Sequence, residues 1–465
     1  MNMASPPPLA AAGEAGFNMQ RMAVNRATVR MAMYLGLVLC DVAAIRGGFE
    51  LGVAVRGIQW MSPNGVELGW LILPVHIVLA ARSGAYSRTA LESANESIRR
   101  GLSSFFFAVC IIALLVFYQH GGMLVSRLGH FVAMTCGLVF IALARGLFHL
   151  CFVWGRTDNL IGRLVILDGV PPFPTKDRVF DAAALGLAPD LRNPNILRQV
   201  AELIAPYDRV IVATTTARQH EWAVMLKAYN TTGEIMVEGG TMLGAIGVSR
   251  YRGADTVIVA RGPMSLANRV KKRAVDLLVS APLLLLLAPL LIAVAIAIKI
   301  DSRGPVLFAQ TRVGRGNKWF KILKFRSMRV ESSDKDGAQS THREDDRITR
   351  VGRFIRRTSI DELPQLLNVL SGDMSIVGPR PHALGSLAGD KLFWEVSERY
   401  WLRHTIKPGI TGLAQVRGFR GATERQSDLE NRLQSDLEYV NGWGLWRDIS
   451  IMFGTLRVLV HPRAY

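Results

Sequence analysis

Residues 277–298, LLVSAPLLLLLAPLLIAVAIAI, form one unbroken apolar run, and both of its flanks are basic. A helix of about 20 apolar residues is long enough to cross a bilayer. Lys271, Lys272 and Arg273 precede the run, and Lys299, Arg303, Arg312, Arg315, Lys318, Lys321, Lys324 and Arg326 follow it. Because Lys and Arg are retained on the cytoplasmic side of a membrane, a crossing would put one of these flanks on the wrong face. Pro289, near the middle, removes a backbone hydrogen bond and clashes with the preceding turn, so a helix can bend there and leave by the face it entered. The sequence thus predicts a re-entrant membrane hairpin over 266–300, kinked at Pro289. A kinked ordinary span is the alternative, since membrane helices tolerate proline.

Four further apolar windows lie upstream, near 31–55, 67–84, 103–119 and 129–153, and predict a four-helix membrane bundle over 31–155. Asp41, Arg46 and Glu50 interrupt the first; a charge inside a span must face the bundle or a polar cavity. Arginines cluster before the first window (Arg21, Arg26, Arg30) and between the second and third (Arg82, Arg88, Arg99, Arg100). The N-terminus and everything after Arg156 are therefore expected in the cytosol. Residues 1–30 open on a Pro/Ala/Gly-rich stretch without signal-peptide features and are expected to be a disordered tail. Cys40, Cys110, Cys136 and Cys151 all lie in or against apolar stretches with no zinc-site spacing, which predicts buried free thiols.

From 156 to 265 the pattern changes to short β-branched runs, LVILDG (164–169), RVIVATTT (209–216) and DTVIVARG (255–262), separated by helical stretches such as 218–230. That alternation predicts an α/β, Rossmann-like domain. A nucleotide site would want a Gly-rich turn after the first strand. Here the turn reads Asp168-Gly169-Val170-Pro171-Pro172, whose two prolines donate no hydrogen bond, so a structural or dimerising domain is favoured.

After 300 come motifs built from cations, glycines and prolines: Lys324-Phe325-Arg326-Ser327-Met328, Arg356-Arg357-Thr358-Ser359-Ile360-Asp361-Glu362-Leu363-Pro364-Gln365, Gly378-Pro379-Arg380-Pro381 and Lys407-Pro408-Gly409. Arg and Lys suit phosphate oxygens, so a phosphate-rich ligand beside a membrane is the coherent reading. Ser359-x-x-Glu362 matches an ordinary capping box. Pro364 argues for a different start: with Asp361 as N-cap, the proline falls third, where its missing donor costs nothing. Asp361 would then sit at a positive helix end, ionised and fit for nucleophilic attack, with Glu362 turned away to hold a divalent cation.

From Lys271 to the C-terminus the chain resembles the catalytic domain of the bacterial polyprenyl-phosphate hexose-1-phosphate transferases, the monotopic phosphoglycosyl transferases. KFRSM, RITRVGRFIRRTSIDELPQLLNVLSGDMSIVGPRP and KPGITGLAQVRG stand in that family's order and spacing. The upstream membrane helices and α/β domain are similar to its long form, the undecaprenyl-phosphate glucose phosphotransferases. The resemblance implies an α+β catalytic domain over 301–465, anchored by the re-entrant helix in the bacterial inner membrane and facing the cytosol. It implies that Asp361 attacks the β-phosphate of a UDP-hexose, releasing UMP, and that undecaprenyl phosphate then takes the sugar phosphate, the first step of an exopolysaccharide or related glycan. Glu362 would coordinate Mg²⁺; Arg356 and Arg380, with Lys324 and Arg326, would face phosphate; Pro289 would be the helix-breaking proline. A homodimer is expected.

UDP-galactose in place of UDP-glucose, an inactive membrane scaffold, and a polytopic transferase without a covalent intermediate are the rival readings. A nucleic-acid binder would also explain the net charge of +18, but the cations flank membrane segments rather than line one helix face, so no nucleic-acid partner is expected. Trp394, Trp401, Trp443 and Trp446 read as core or interface anchors.

Overall fold

The computed structural model describes residues 9–56, 68–118, 127–153, 162–237, 244–329, 347–419, 421, 423 and 425–460. The chain divides into two compact units, residues 1–162 and 163–465.

The first unit is helical: α1 (Leu9–Arg56), α2 (Leu68–Ser83), α3 (Arg88–Glu92), α4 (Ala94–Tyr118) and α5 (Arg127–Phe148), the last continuing through a π-turn to Val153. Helix α1 begins at Leu9, inside the segment expected to be a tail; past Pro8 that segment is rich in Ala, Met and Arg, all good helix formers. Val29–Gly52, Ala94–Tyr118 and Phe131–Val153 are each long and apolar enough to cross a membrane, whereas α2 has 16 residues. Helices α1 and α5 approach closely at glycines: a Cβ on Gly48 would stand 2.7 Å from the backbone nitrogen of Gly137.

The three charges of the first window part company. Asp41 turns into the bundle and is fully buried, where Arg145 donates to it twice (2.8 and 2.6 Å), His76 Nε2 lies 3.0 Å away and the Tyr86 hydroxyl donates at 2.7 Å. Arg145 also donates to the Ser97 carbonyl and hydroxyl. Arg46 and Glu50 instead pair with each other at the surface. The thiols are free, but Cys40, Cys110 and Cys136 are only half-buried and Cys151 is exposed, because these helices turn part of their apolar surface outward.

The second unit opens with a six-stranded mixed sheet in the order β2-β1-β3-β4-β6-β5. Strands β1 (Arg163–Asp168), β2 (Arg178–Asp181), β3 (Arg209–Thr214) and β4 (Thr232–Met236) run parallel; β6 (Ala254–Ala260) is antiparallel to β4, and β5 (Gly247–Tyr251) to β6. Helices α6 (Pro194–Ile204) and α7 (Thr216–Lys227) cover the sheet through Leu197, Val200, Trp222 and Leu226. At the carboxyl end of β1, Asp168 is taken up internally by Arg218 (2.7 Å) and the Trp222 indole (2.8 Å).

Helix α8 (Leu266–Asp301) follows and runs as one helix through both Pro282 and Pro289. Its first turns are bolted to what comes later. Lys272 pairs with Asp448 (2.7 Å) and donates to the Val377 carbonyl, Arg273 donates to the carbonyls of Val369 and Leu370, and Asp276 accepts from Ser375 and the Ile376 backbone. Beyond it lie the hairpin β7 (Leu307–Val313) and β8 (Trp319–Phe325), α9 (Arg350–Arg357), α10 (Gln365–Ser371), and the parallel pair β9 (Ser375–Val377) and β12 (Gly409–Thr411), the short hairpin β10 (Leu387–Ala388) and β11 (Lys391–Leu392) lying between them in sequence. Helices Gln426–Asn441 and Leu445–Val460 close this α+β body around Leu366, Val369, Met374 and Tyr439. Of the four tryptophans, Trp401 is fully buried and Trp446 is 80% exposed; Trp394 and Trp443 are part-buried.

Candidate active site

Asp361 and Glu362 lie on a single 3-10 turn, Ile360–Glu362, entered through Ser359 in the left-handed region (φ 56°). This corrects the expected helix start. Pro364, not Asp361, is the N-cap of α10, and neither the Ser359 side chain nor Asp361 caps it. The backbone takes the tighter path because Pro364 has no N–H to offer. The turn closes instead through Glu362 N to Ser359 O (3.2 Å) and Leu363 N to Ile360 O (3.1 Å).

The two carboxylates meet different surroundings. Glu362 accepts from Lys324 Nζ at 2.8 Å and from Arg380 at 2.5 and 3.2 Å. Burial works to raise its pKa, but Arg380 and then Lys324 outweigh burial and hold it well below the usual carboxylate range. Asp361 is equally enclosed, yet among the described residues its carboxylate makes no hydrogen bond or ion pair. Burial raises its pKa, and Glu362 adds to the rise, against the opposing charges of Lys324, Arg356 and Arg380. The expectation that Asp361 is held ionised by a helix end is therefore replaced: desolvation dominates.

The cations come from separate elements. Lys324 stands on β8, Arg356 on the last turn of α9, and Arg380 follows β9. Arg380 is positioned by a buried network that no local pattern in the sequence announced. Arg403 donates to the Arg380 carbonyl (2.7 Å), to Asp436 (2.9 Å) and toward His382 Nδ1 (2.8 Å). Burial, and then Arg403 and Arg432, hold His382 well below the usual imidazole range. The glycines of the Gly378-Pro379-Arg380 and Lys407-Pro408-Gly409 motifs have a common cause: a Cβ on Gly409 would stand 2.1 Å from the Gly378 backbone nitrogen, so the two loops need each other's glycine.

Arg326 departs from its expected place among the phosphate contacts. It is buried, and it donates to the carbonyls of Arg303 and Ser302 and to the Ser302 hydroxyl, strapping the end of α8. Beside the dyad a cavity of about 450 Å³ runs between α8 and the C-terminal helix; Glu362 and Ser359 form its polar end, and Val279, Leu283, Met452 and Phe453 line its walls. Among the described residues no three His, Cys, Asp or Glu side chains gather as a metal site.

Residues 267–462 match the family described as "Bacterial sugar transferase". The chain is 52% identical over 216 residues to the undecaprenyl-phosphate glucose phosphotransferase of Komagataeibacter xylinus, covering 46% of this chain and 41% of that protein. It is 48% identical over 219 residues to the UDP-glucose:undecaprenyl-phosphate glucose-1-phosphate transferase of Escherichia coli, covering 47% and 46%. It is also 52% identical over 187 residues to the exopolysaccharide production protein PSS of Rhizobium leguminosarum, covering 40% of this chain and 94% of that protein. The match thus spans less than half of the first two relatives. Since it takes in nearly all of the third, with the Asp361-Glu362 turn and its cations inside the matched segment, the chain belongs to the bacterial sugar transferase family.

Proposed function

We propose that this chain transfers glucose-1-phosphate from UDP-glucose to undecaprenyl phosphate through a covalent intermediate on Asp361. The observation that carries the reading is the contrast inside the dyad: a desolvated carboxylate with no partner among the described residues, beside three cations and a carboxylate that two of them already neutralise. Desolvation leaves Asp361 reactive, while Lys324, Arg356 and Arg380 attract and orient a diphosphate. An Asp361 oxygen attacks the β-phosphorus, the bond from that phosphorus to the bridging oxygen breaks, and UMP leaves with the electron pair. An oxygen of undecaprenyl phosphate then attacks the same phosphorus and returns Asp361 as a carboxylate. The apolar cavity at the dyad supports an acceptor whose tail is hydrocarbon. Glucose is supported by the names of two relatives.

Mg²⁺ suits the donor set. It binds through one or two carboxylates and completes its shell with phosphates and water, and an ionised carboxylate offers about four acceptor positions, more than the two cations on Glu362 need. Glu362, adjoining Asp361, would hold it, and the ion would neutralise charge on the diphosphate.

The same reading includes a re-entrant anchor, a cytosolic catalytic face and the inner membrane as location. Asn268–Asp301 is long and apolar enough to cross a membrane. A crossing by 277–298 would set its flanks about 33 Å apart. Yet Arg273 and Asp276 hold residues 369–376, Ile298 packs against Phe325, and Asn368 bonds to Lys321 and Leu323 of the same β8 strand, which favours both flanks on one side. Pairing of two chains through the sheet domain is supported by the edge strand β5, where Val248 is 84% exposed.

The test is UMP release by the full chain in nanodiscs with Mg²⁺, undecaprenyl phosphate and a panel of UDP-sugars. The proposal expects release from wild type, best with UDP-glucose, and none from Asp361→Asn. Equal release by both proteins would sink it.

A further inference from the structure

A second cavity, of about 500 Å³, lies where α8 leaves the folded body, and the transfer reading makes no use of it. Its wall is cationic: Arg269, Lys272 and Arg273 come from the first turns of α8, Arg315 from the turn between β7 and β8, and Lys407 from the Lys407-Pro408-Gly409 motif. Asp276 is the lining acid, and it is already occupied by Ser375 and the Ile376 backbone. Lys272 is matched by Asp448, and Arg273 is spent on the Val369 and Leu370 carbonyls. Arg315 and Lys407 are different: among the described residues, neither side chain makes a hydrogen bond or ion pair.

These two cations are presented by built structure. The Arg315 turn has Gly316 and Asn317 in the left-handed region (φ 65° and 62°), and Asn317 is clamped between the Ala228 carbonyl (2.8 Å) and the His404 ring (3.0 Å). The Lys407 carbonyl oxygen would stand 2.5 Å from a Cβ on Gly378, so its backbone is fixed as well. Lys407 Nζ and Arg273 Nη2 stand 3.4 and 3.8 Å from where a Cβ on Gly372 would be, which leaves two cations crowded at one point. Burial, and then Arg315 and Arg273, push the Lys407 ammonium down to about 8. A protein holds unpaired cations together at a cost unless an anion fills the gap.

We infer that this cavity is a phosphate-binding site separate from the Asp361 centre, with Arg315 and Lys407 as its ligands, and that it takes the phosphate of an anionic phospholipid. The lipid source follows from the rest of the lining. Val270 and Leu277, 50% and 38% exposed, continue from the cavity onto the apolar surface of α8, at the level where a helix entering a bilayer meets head groups. A lipid there would fix how deep the helix sits. The inference does not depend on the transfer chemistry.

The full chain in detergent is titrated with phosphatidylglycerol, with phosphatidylcholine and with inorganic phosphate, and adducts are counted by native mass spectrometry. Wild type is expected to prefer phosphatidylglycerol over phosphatidylcholine by about tenfold or more, since two interfacial cations face the anionic head group. The double variant Arg315→Gln, Lys407→Gln should lose that preference. Lys407→Arg should keep it, and Lys271→Gln, which removes an exposed cation outside the cavity, should leave it unchanged. Thermal unfolding of each variant separates lost binding from lost folding. Binding of inorganic phosphate without lipid preference, abolished in the double variant, would retain the site and reassign its source to a free phosphate. Equal binding of both lipids by wild type with no phosphate adduct, or full lipid preference in a folded double variant, would overturn the inference.

Discussion

Two buried carboxylates, Asp41 in the helical unit and Asp361 in the second unit, each have cations close by, and they differ in what those cations do. Asp41 is saturated: Arg145 grips it with two nitrogens, and His76 and Tyr86 complete the shell. Asp361 has charge near it, but among the described residues nothing is bonded to its carboxylate, because Lys324 and Arg380 are turned onto its neighbour Glu362. A satisfied buried charge fixes helices; an unsatisfied one is available for chemistry.

The sharpest way to break that contrast is to exchange the carboxyl for an amide. Asp361→Asn is expected to cut transfer on the order of 10⁶-fold, the scale seen when a nucleophile is removed, with the fold intact. Removing Arg145 should do the reverse. Arg145→Leu strands Asp41 in the bundle and should lower stability by about 3–5 kcal/mol in a denaturant titration, while transfer per folded molecule is retained. Arg380→Ala should lower kcat/KM by about 10²-fold, the usual cost of one oriented charge donor. Arg326→Gln should leave kcat unchanged and destabilise by about 1–3 kcal/mol, since it loses a strap on α8 rather than a substrate contact.

The smallest effect sharpens the comparison through pH. The pKa of Asp361 is raised in the folded chain, so the folded state binds its proton more tightly than the unfolded state does. That contribution favours folding below the ordinary aspartate pKa and is lost as pH rises through the raised value. Asp361→Asn should therefore be slightly more stable than wild type at neutral pH, the advantage vanishing in acid. The acid limb of wild-type transfer should lie above the ordinary aspartate range. Glu362, held low, has the opposite sign: its contribution is present at neutral pH and lost as pH falls through its depressed value.

Much of this was legible in the residues. Hydropathy located the apolar helices, and the β-branched runs located β1, β3 and β6, because burial on both faces leaves a continuous apolar string. Strands β2 and β5, exposed at the two sheet edges, left no such string. The dyad and Arg380 stood in recognisable motifs. Their geometry did not, since one missing amide hydrogen at Pro364 turned an expected N-cap into a 3-10 turn. The family resemblance implied that Arg326 is a phosphate ligand, and only the end of α8, more than twenty residues away in sequence, shows where its guanidinium goes. The Arg403, Asp436 and His382 support of Arg380 joins positions tens of residues apart and has no local signature. Helix α8 carries a second proline, Pro282, seven residues before Pro289, and continues through both.

The most direct test of a covalent Asp361 is a single-turnover measurement without acceptor. Wild-type protein mixed with UDP-glucose and Mg²⁺, but no undecaprenyl phosphate, should release about one UMP per active site. Its intact mass should rise by one hexose phosphate, and later addition of undecaprenyl phosphate should discharge the adduct. UMP release that strictly requires undecaprenyl phosphate, or an adduct that persists in Asp361→Asn, would contradict the account.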